Sequence, residues 1–101
     1  MSQRIKMCRV EQLPAGAAVE KRILARRVAV FNDNGSLYGL EADCKHMKAS
    51  LAIGEVAEGV VTCNWHHWQY NLRTGECLGR PGMKLRTYAV EVVGGEVFLL
   101  L

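Results

Sequence analysis

The chain has 101 residues, a length that suits one domain with a single core, so one domain over residues 1–101 is expected, with no room for a second catalytic domain. Half of the residues are hydrophobic and 23% are charged, as in an ordinary globular protein; no run of about 18 apolar residues and no long apolar stretch after Met1–Lys6 is present, so neither a membrane span nor a signal peptide is expected. The net charge of +3 is mild, and Lys21, Arg22, Arg26, Arg27, Arg73, Arg80, Lys84 and Arg86 are scattered cations that read as solvated surface, which argues against a nucleic-acid partner.

Short strands and tight turns follow one another along the chain. Arg4 to Arg9 reads as a first strand and Leu13 to Gly16 as a turn. Ala18 to Leu24 and Arg27 to Phe31 read as strands, the second holding the apolar run Val28-Ala29-Val30-Phe31 of a buried strand. Asn32 to Gly35 is a hairpin turn, because Asn and Gly tolerate positive φ, and Leu37 to Leu40 returns. A helical turn is expected near Ala49 to Ile53. Val60 to Thr62, Trp68 to Asn71, Thr87 to Val93 and Glu96 to Leu100 read as strands, with turns at Arg73 to Glu76 and at Gly94-Gly95. Many short strands with frequent turns predict an all-β sandwich or small barrel.

Two clusters carry the chemistry. Cys44-Lys45-His46 and Cys63-Asn64-Trp65-His66 are separated by the residues between His46 and Cys63, and each supplies one thiolate and one imidazole. Two soft sulfur ligands and two imidazoles make one four-ligand metal centre. Zinc accepts the same set tetrahedrally. A zinc finger, however, usually pairs Cys with Cys and then His with His on a helix, whereas each half here is mixed and non-helical. The mixed, non-helical halves favour an iron–sulfur cluster, with a zinc ion as the alternative. His67 lies beside His66, but the spacing favours His66 as the ligand. Cys8 reads as a small buried hydrophobe and Cys77 as a loop thiol; a reducing, cytoplasmic setting fits all four cysteines.

The double motif, together with Trp65 to Glu76, Gly79-Arg80-Pro81-Gly82 and Leu85 to Val92, resembles the Rieske-type ferredoxins from about Ile5 to the C-terminus. The resemblance implies a small antiparallel β-sandwich with a cluster-binding subdomain formed by two loops. It implies one [2Fe-2S] cluster, with Cys44 and Cys63 on one iron and His46 and His66 on the other, the histidines forming the exposed electron exit. Met47, Trp65, Trp68, Tyr70 and Pro81 would surround the cluster, Pro81 on a loop covering a third side. Two imidazoles in place of two thiolates leave the centre less negative, which sets Rieske potentials at roughly −150 to +300 mV against about −400 mV for plant-type ferredoxins. The high-potential relatives carry an extra disulfide, which Ala49 and Trp65 cannot form, and a Ser where this chain has Trp68. A low potential is expected, lifted modestly if the Tyr70 hydroxyl reaches a Cys sulfur.

Three positions depart from the family's usual Pro, Gly and Gly: Lys45, Lys48 and His67. They place cationic or titratable side chains near the histidine edge and point to a partner with an acidic docking surface. The resemblance implies a monomeric one-electron carrier that takes electrons from a flavin-dependent reductase and delivers them to a terminal oxygenase or other redox enzyme. It is not itself an enzyme: an oxygenase needs a second iron held by two His and a carboxylate, and of three His two are committed. The alternatives are the small subunit of a nitrite reductase complex, which shares the fold, and a zinc-stabilised interaction domain.

Overall fold

The computed structural model of the protein describes residues 3–43, 50–64 and 67–101. Its nine described strands are β1 (Arg4–Arg9), β2 (Ala18–Ile23), β3 (Arg26–Asp33), β4 (Ser36–Glu41), β5 (Glu55–Ala57), β6 (Val60–Thr62), β7 (Gln69–Asn71), β8 (Thr87–Val93) and β9 (Glu96–Leu100). They form a six-stranded sheet in the order β1-β9-β8-β4-β3-β2 and a three-stranded sheet, β5-β6-β7. All paired strands are antiparallel. The chain is therefore all-β, as expected.

Strand β3 explains the layering. Val28, Ala29, Val30 and Phe31 are all fully buried. Successive side chains on a strand face opposite ways. Val28 and Val30 join Met7, Cys8, Leu13, Val97 and Leu99 in one core. Ala29 and Phe31 join Leu40, Val61, Tyr70, Leu72 and Leu85 in another. The edge strands of the large sheet approach one another, Lys21 Nζ donating to Lys6 O at 2.8 Å, so the sheet curls around the first core. The second core lies between this sheet and the small one.

Two-residue turns close four of the hairpins. The pairs Ile23 with Arg26, Asp33 with Ser36, Ala57 with Val60 and Val93 with Glu96 flank them. Asn34 (φ 53°) and Gly35 (φ 100°) are both left-handed, as such turns require. Asp33 Oδ2 accepts from Gly59 N at 2.6 Å, which ties the β3–β4 turn to the β5–β6 turn and so docks the small sheet on the large one.

The structure corrects several boundaries and adds elements. Strand β3 runs from Arg26 to Asp33 and β4 from Ser36 to Glu41, while β2 stops at Ile23 because Leu24 turns. Strand β5 was not foreseen: three residues with one half-buried Val carry little alternation. The expected helical turn is a 3-10 turn over Leu51–Ile53, its first turn capped by Ser50 Oγ accepting from Ala52 N at 3.2 Å. A second 3-10 turn, Val10–Gln12, follows β1. Cys8 is buried as expected, and burial pushes its thiol up, so it packs as a neutral group. Cys77 is not a loop thiol: it is buried in the second core. No helix among the described residues is long and apolar enough to cross a membrane.

Candidate metal centre

The residues that flank 44–49 form a closed root. Asp43 and Ser50 pair across it, and Leu51 N donates to Ala42 O at 2.6 Å. Ala42 N in turn donates to Arg27 O at 3.0 Å, which fastens the root to β3. The side chains repeat the tie. Arg27 Nη2 lies 2.5 Å from Asp43 Oδ1, Arg27 Nη1 lies 3.7 Å from Glu20 Oε2, and the Ser50 hydroxyl donates to Glu20. Arg27 is therefore a half-buried anchor and not a solvated cation.

The second loop has an analogous root. Strands β6 and β7 pair through Thr62 and Gln69, and Cys63 N then donates to Trp68 O at 2.7 Å. Cys63 is fully buried, whereas Asn64 and His67 are exposed. The thiol thus starts from the protein interior, while its described neighbours Asn64 and His67 face solvent. His67 adopts φ 59°, a conformation that favours glycine, at the position where the sequence departs from glycine.

A third segment stands beside them. Leu78 N donates to Gln69 O at 2.8 Å, and Cys77 N to Met83 O at 2.9 Å, which ties residues 77–83 to β7 and closes them into a strap. Pro81 lies exposed on this strap. The Arg80 guanidinium sits 3.9 Å over the Trp68 ring. Gly75 makes the approach of the following chain possible: its φ is 81°, Leu85 N donates to its carbonyl at 2.8 Å, and an added Cβ would meet Leu85 O.

All three segments grow from one patch of core. Ala42 and Leu51 flank the first loop, Cys63 opens the second, Cys77 opens the strap, and Tyr70 lies among them fully buried. Trp68 and Met83 are half-buried against the same cluster. Of the nine residues expected around the centre, Cys63, Trp68, Tyr70 and Pro81 are described. Cys44, His46, Met47, Trp65 and His66 lie outside the described residues, as do Lys45, Lys48 and Ala49. Among the described residues no three His, Cys, Asp or Glu side chains converge on a metal. The donor chemistry nonetheless suits a soft metal cluster: a buried thiol at a closed root, with a second Cys-His pair on the neighbouring loop.

Sequence reasoning missed Arg27, Glu20 and Ser50 at the first root, and Arg80 over Trp68. Arg80 stood in the noted Gly-Arg-Pro-Gly loop, but nothing in the spacing pairs it with a particular ring.

Residues 3–89 match the family model described as the Rieske [2Fe-2S] domain. The 3-phenylpropionate/cinnamic acid dioxygenase ferredoxin subunit of Escherichia coli (strain K12) is 35% identical over 99 residues, spanning 95% of this chain and 92% of that one. A chain from the solved complex of reduced oxygenase and oxidized ferredoxin in carbazole 1,9a-dioxygenase superposes with a TM-score of 0.85 at 30% identity, over 95% of this chain and 91% of its own. The putative NADH-dependent nitrite reductase small subunit from Mycobacterium tuberculosis superposes with a TM-score of 0.90, over 100% and 96% of the two chains, but at 20% identity it shares the fold alone.

Proposed function

Because this chain belongs to the Rieske [2Fe-2S] domain family, we propose that Cys44, His46, Cys63 and His66 hold its one [2Fe-2S] cluster and that it feeds the terminal oxygenase of an aromatic-ring dioxygenase system. Such a cluster, when bound, takes up and releases one electron. The protein is accordingly an electron-transfer component and not an enzyme in itself. The observation that supports the ligand set best is the shared core patch beneath both loop roots.

Each residue has a task in this reading. Cys63 presents its sulfur from the interior, its amide held by Trp68 O at 2.7 Å. Cys44 follows Asp43, which Arg27 holds at 2.5 Å, so the first thiolate starts from an equally fixed root. His46 and His66 form the electron exit at the loop tips. Trp68, half-buried, and Tyr70, fully buried, exclude water from the root side. Met47, Trp65 and Pro81 complete the surround. The whole of residues 1–101 acts as one Rieske domain. A flavin-dependent reductase supplies the electron, and the working form is a monomer in a reducing cytoplasm.

The relatives support the choice of acceptor. One is the ferredoxin subunit of a dioxygenase for 3-phenylpropionate or cinnamic acid, and another was solved with a carbazole dioxygenase oxygenase. The test is anaerobic mixing of the reduced protein with a terminal oxygenase of either type, following reoxidation by visible absorbance. Fast reoxidation by the oxygenase, and none by a sirohaem nitrite reductase, is the expected result. The opposite preference would make this chain a nitrite reductase small subunit.

A further inference from the structure

The ends of the strap are held, Cys77 buried in the second core and Met83 half-buried against it, but its tip, residues 79–82, has little packing of its own. Gly79 (φ 77°) and Gly82 (φ 90°) are left-handed, and no heavy atom lies within 4 Å of where a Cβ would stand on either. Arg80 and Pro81 between them are exposed. Within the strap, Met83 N donates to Arg80 O at 3.2 Å and Arg80 N to Cys77 O at 3.4 Å, both at the long end for such bonds. The side chain that reaches across is Arg80, with its guanidinium 3.9 Å over the Trp68 ring. Trp68 O is the acceptor for Cys63 N. A continuous line of contacts therefore runs from the strap, through one cation and one ring, to the root of a ligand loop.

We propose that Arg80 is a positioning residue for the cluster: it clamps the strap onto Trp68, keeps the Cys63 root closed, and lends a permanent positive charge that favours the reduced state. This rests on the assignment of Cys63 as a ligand. Reduction adds a negative charge, and a nearby cation lowers the energy of the more negative state. Arg is suited to both tasks, because its planar guanidinium stacks on rings and does not deprotonate in proteins. Its exposure screens the charge and keeps the effect modest.

Charge and stacking separate by substitution. Lys at this position keeps the charge without the stacking plane, and Gln keeps neither. The cluster-loaded wild type, Arg80→Lys and Arg80→Gln are each poised at the wild-type midpoint, and the reduced fraction is read by absorbance. Loss of visible colour in excess chelator is timed on the same samples. Arg80→Gln lowers the ratio of reduced to oxidised protein about threefold at low salt, less at high salt, and loses its cluster faster. Arg80→Lys restores the ratio but not the retention. A Gln variant that matches wild type in both readouts overturns the proposal, as does a Lys variant with wild-type retention, which would show that the stack holds nothing. If the Gln variant fails to load, the Lys retention decides alone. A wild type that carries no cluster refutes the ligand assignment and this inference with it; a loaded wild type with indifferent variants refutes Arg80 only.

Discussion

Four of the described residues other than glycine occupy the left-handed region, Leu24, Asn34, Glu58 and His67, and Leu24 and His67 do so at places of opposite meaning. Leu24 (φ 56°) sits at a hairpin tip and is 94% exposed, so its side chain contributes no packing that offsets the strain. Left-handed backbone costs a residue with a Cβ about 1 kcal/mol or more. Leu24→Gly is therefore expected to raise the unfolding free energy by about 1 kcal/mol in denaturant titration. His67 (φ 59°) bears the same strain on the second of the proposed ligand loops. His67→Gly is expected to raise the thermal midpoint while leaving the iron content unchanged. The sequence made the departure from glycine at His67 visible, because the family pattern marks that position. Leu24 carried no such mark, since leucine gives no turn signal. Tyr70 was legible as an aromatic of the site, and the structure places it fully buried beside Cys63 in one core. If its hydroxyl supports a Cys sulfur, Tyr70→Phe lowers the midpoint potential in a redox titration, and an unchanged midpoint removes that role.

Turns do for the elements what ligands do for the centre: they fix where the loops start. The bond from Gly59 N to Asp33 Oδ2 at 2.6 Å joins two hairpin tips that belong to different sheets. Asp33→Ala is expected to cost about 1 kcal/mol, read as a lower urea midpoint, since a part-buried amide loses a charged acceptor. Gly75 is the more sensitive position, with φ 81° and Leu85 O against the place of its missing Cβ. Gly75→Ala is expected to destabilise by about 2 kcal/mol or more and to lower cluster content after purification, because it displaces the chain that leads out of the strap. Elements with strong patterns were legible: the apolar run in β3, the Asn34-Gly35 turn, and the closing hairpin of β8 and β9. Strand β5 was not, because its three residues gain their conformation from pairing with β6. The anchoring of the first loop by Arg27 was hidden for a related reason. Arg27 and Asp43 are distant in sequence and meet only because β3 and the end of β4 run side by side.

At the scale of the molecule, one strand divides two duties. The face of β3 bearing Val28 and Val30 closes the curled scaffold, and the face bearing Ala29 and Phe31 supports the patch that holds the roots of both proposed ligand loops and of the strap. A net charge of +3 would add a weak long-range attraction toward an acceptor whose docking surface is acidic, as the sequence leads us to expect. Raising the salt concentration is expected to slow electron transfer to the oxygenase, because screening shortens the reach of surface charge to about 8 Å at physiological ionic strength. A rate independent of salt in stopped-flow mixing would remove electrostatic steering from the account. The proposed cluster and its mixed ligands are tested by an EPR spectrum of the anaerobically purified, dithionite-reduced protein, with iron and zinc counted on the same sample. A rhombic Rieske-type signal with about two irons per chain is the predicted result. A colourless, EPR-silent protein holding zinc would contradict it and leave a metal-stapled interaction domain in its place.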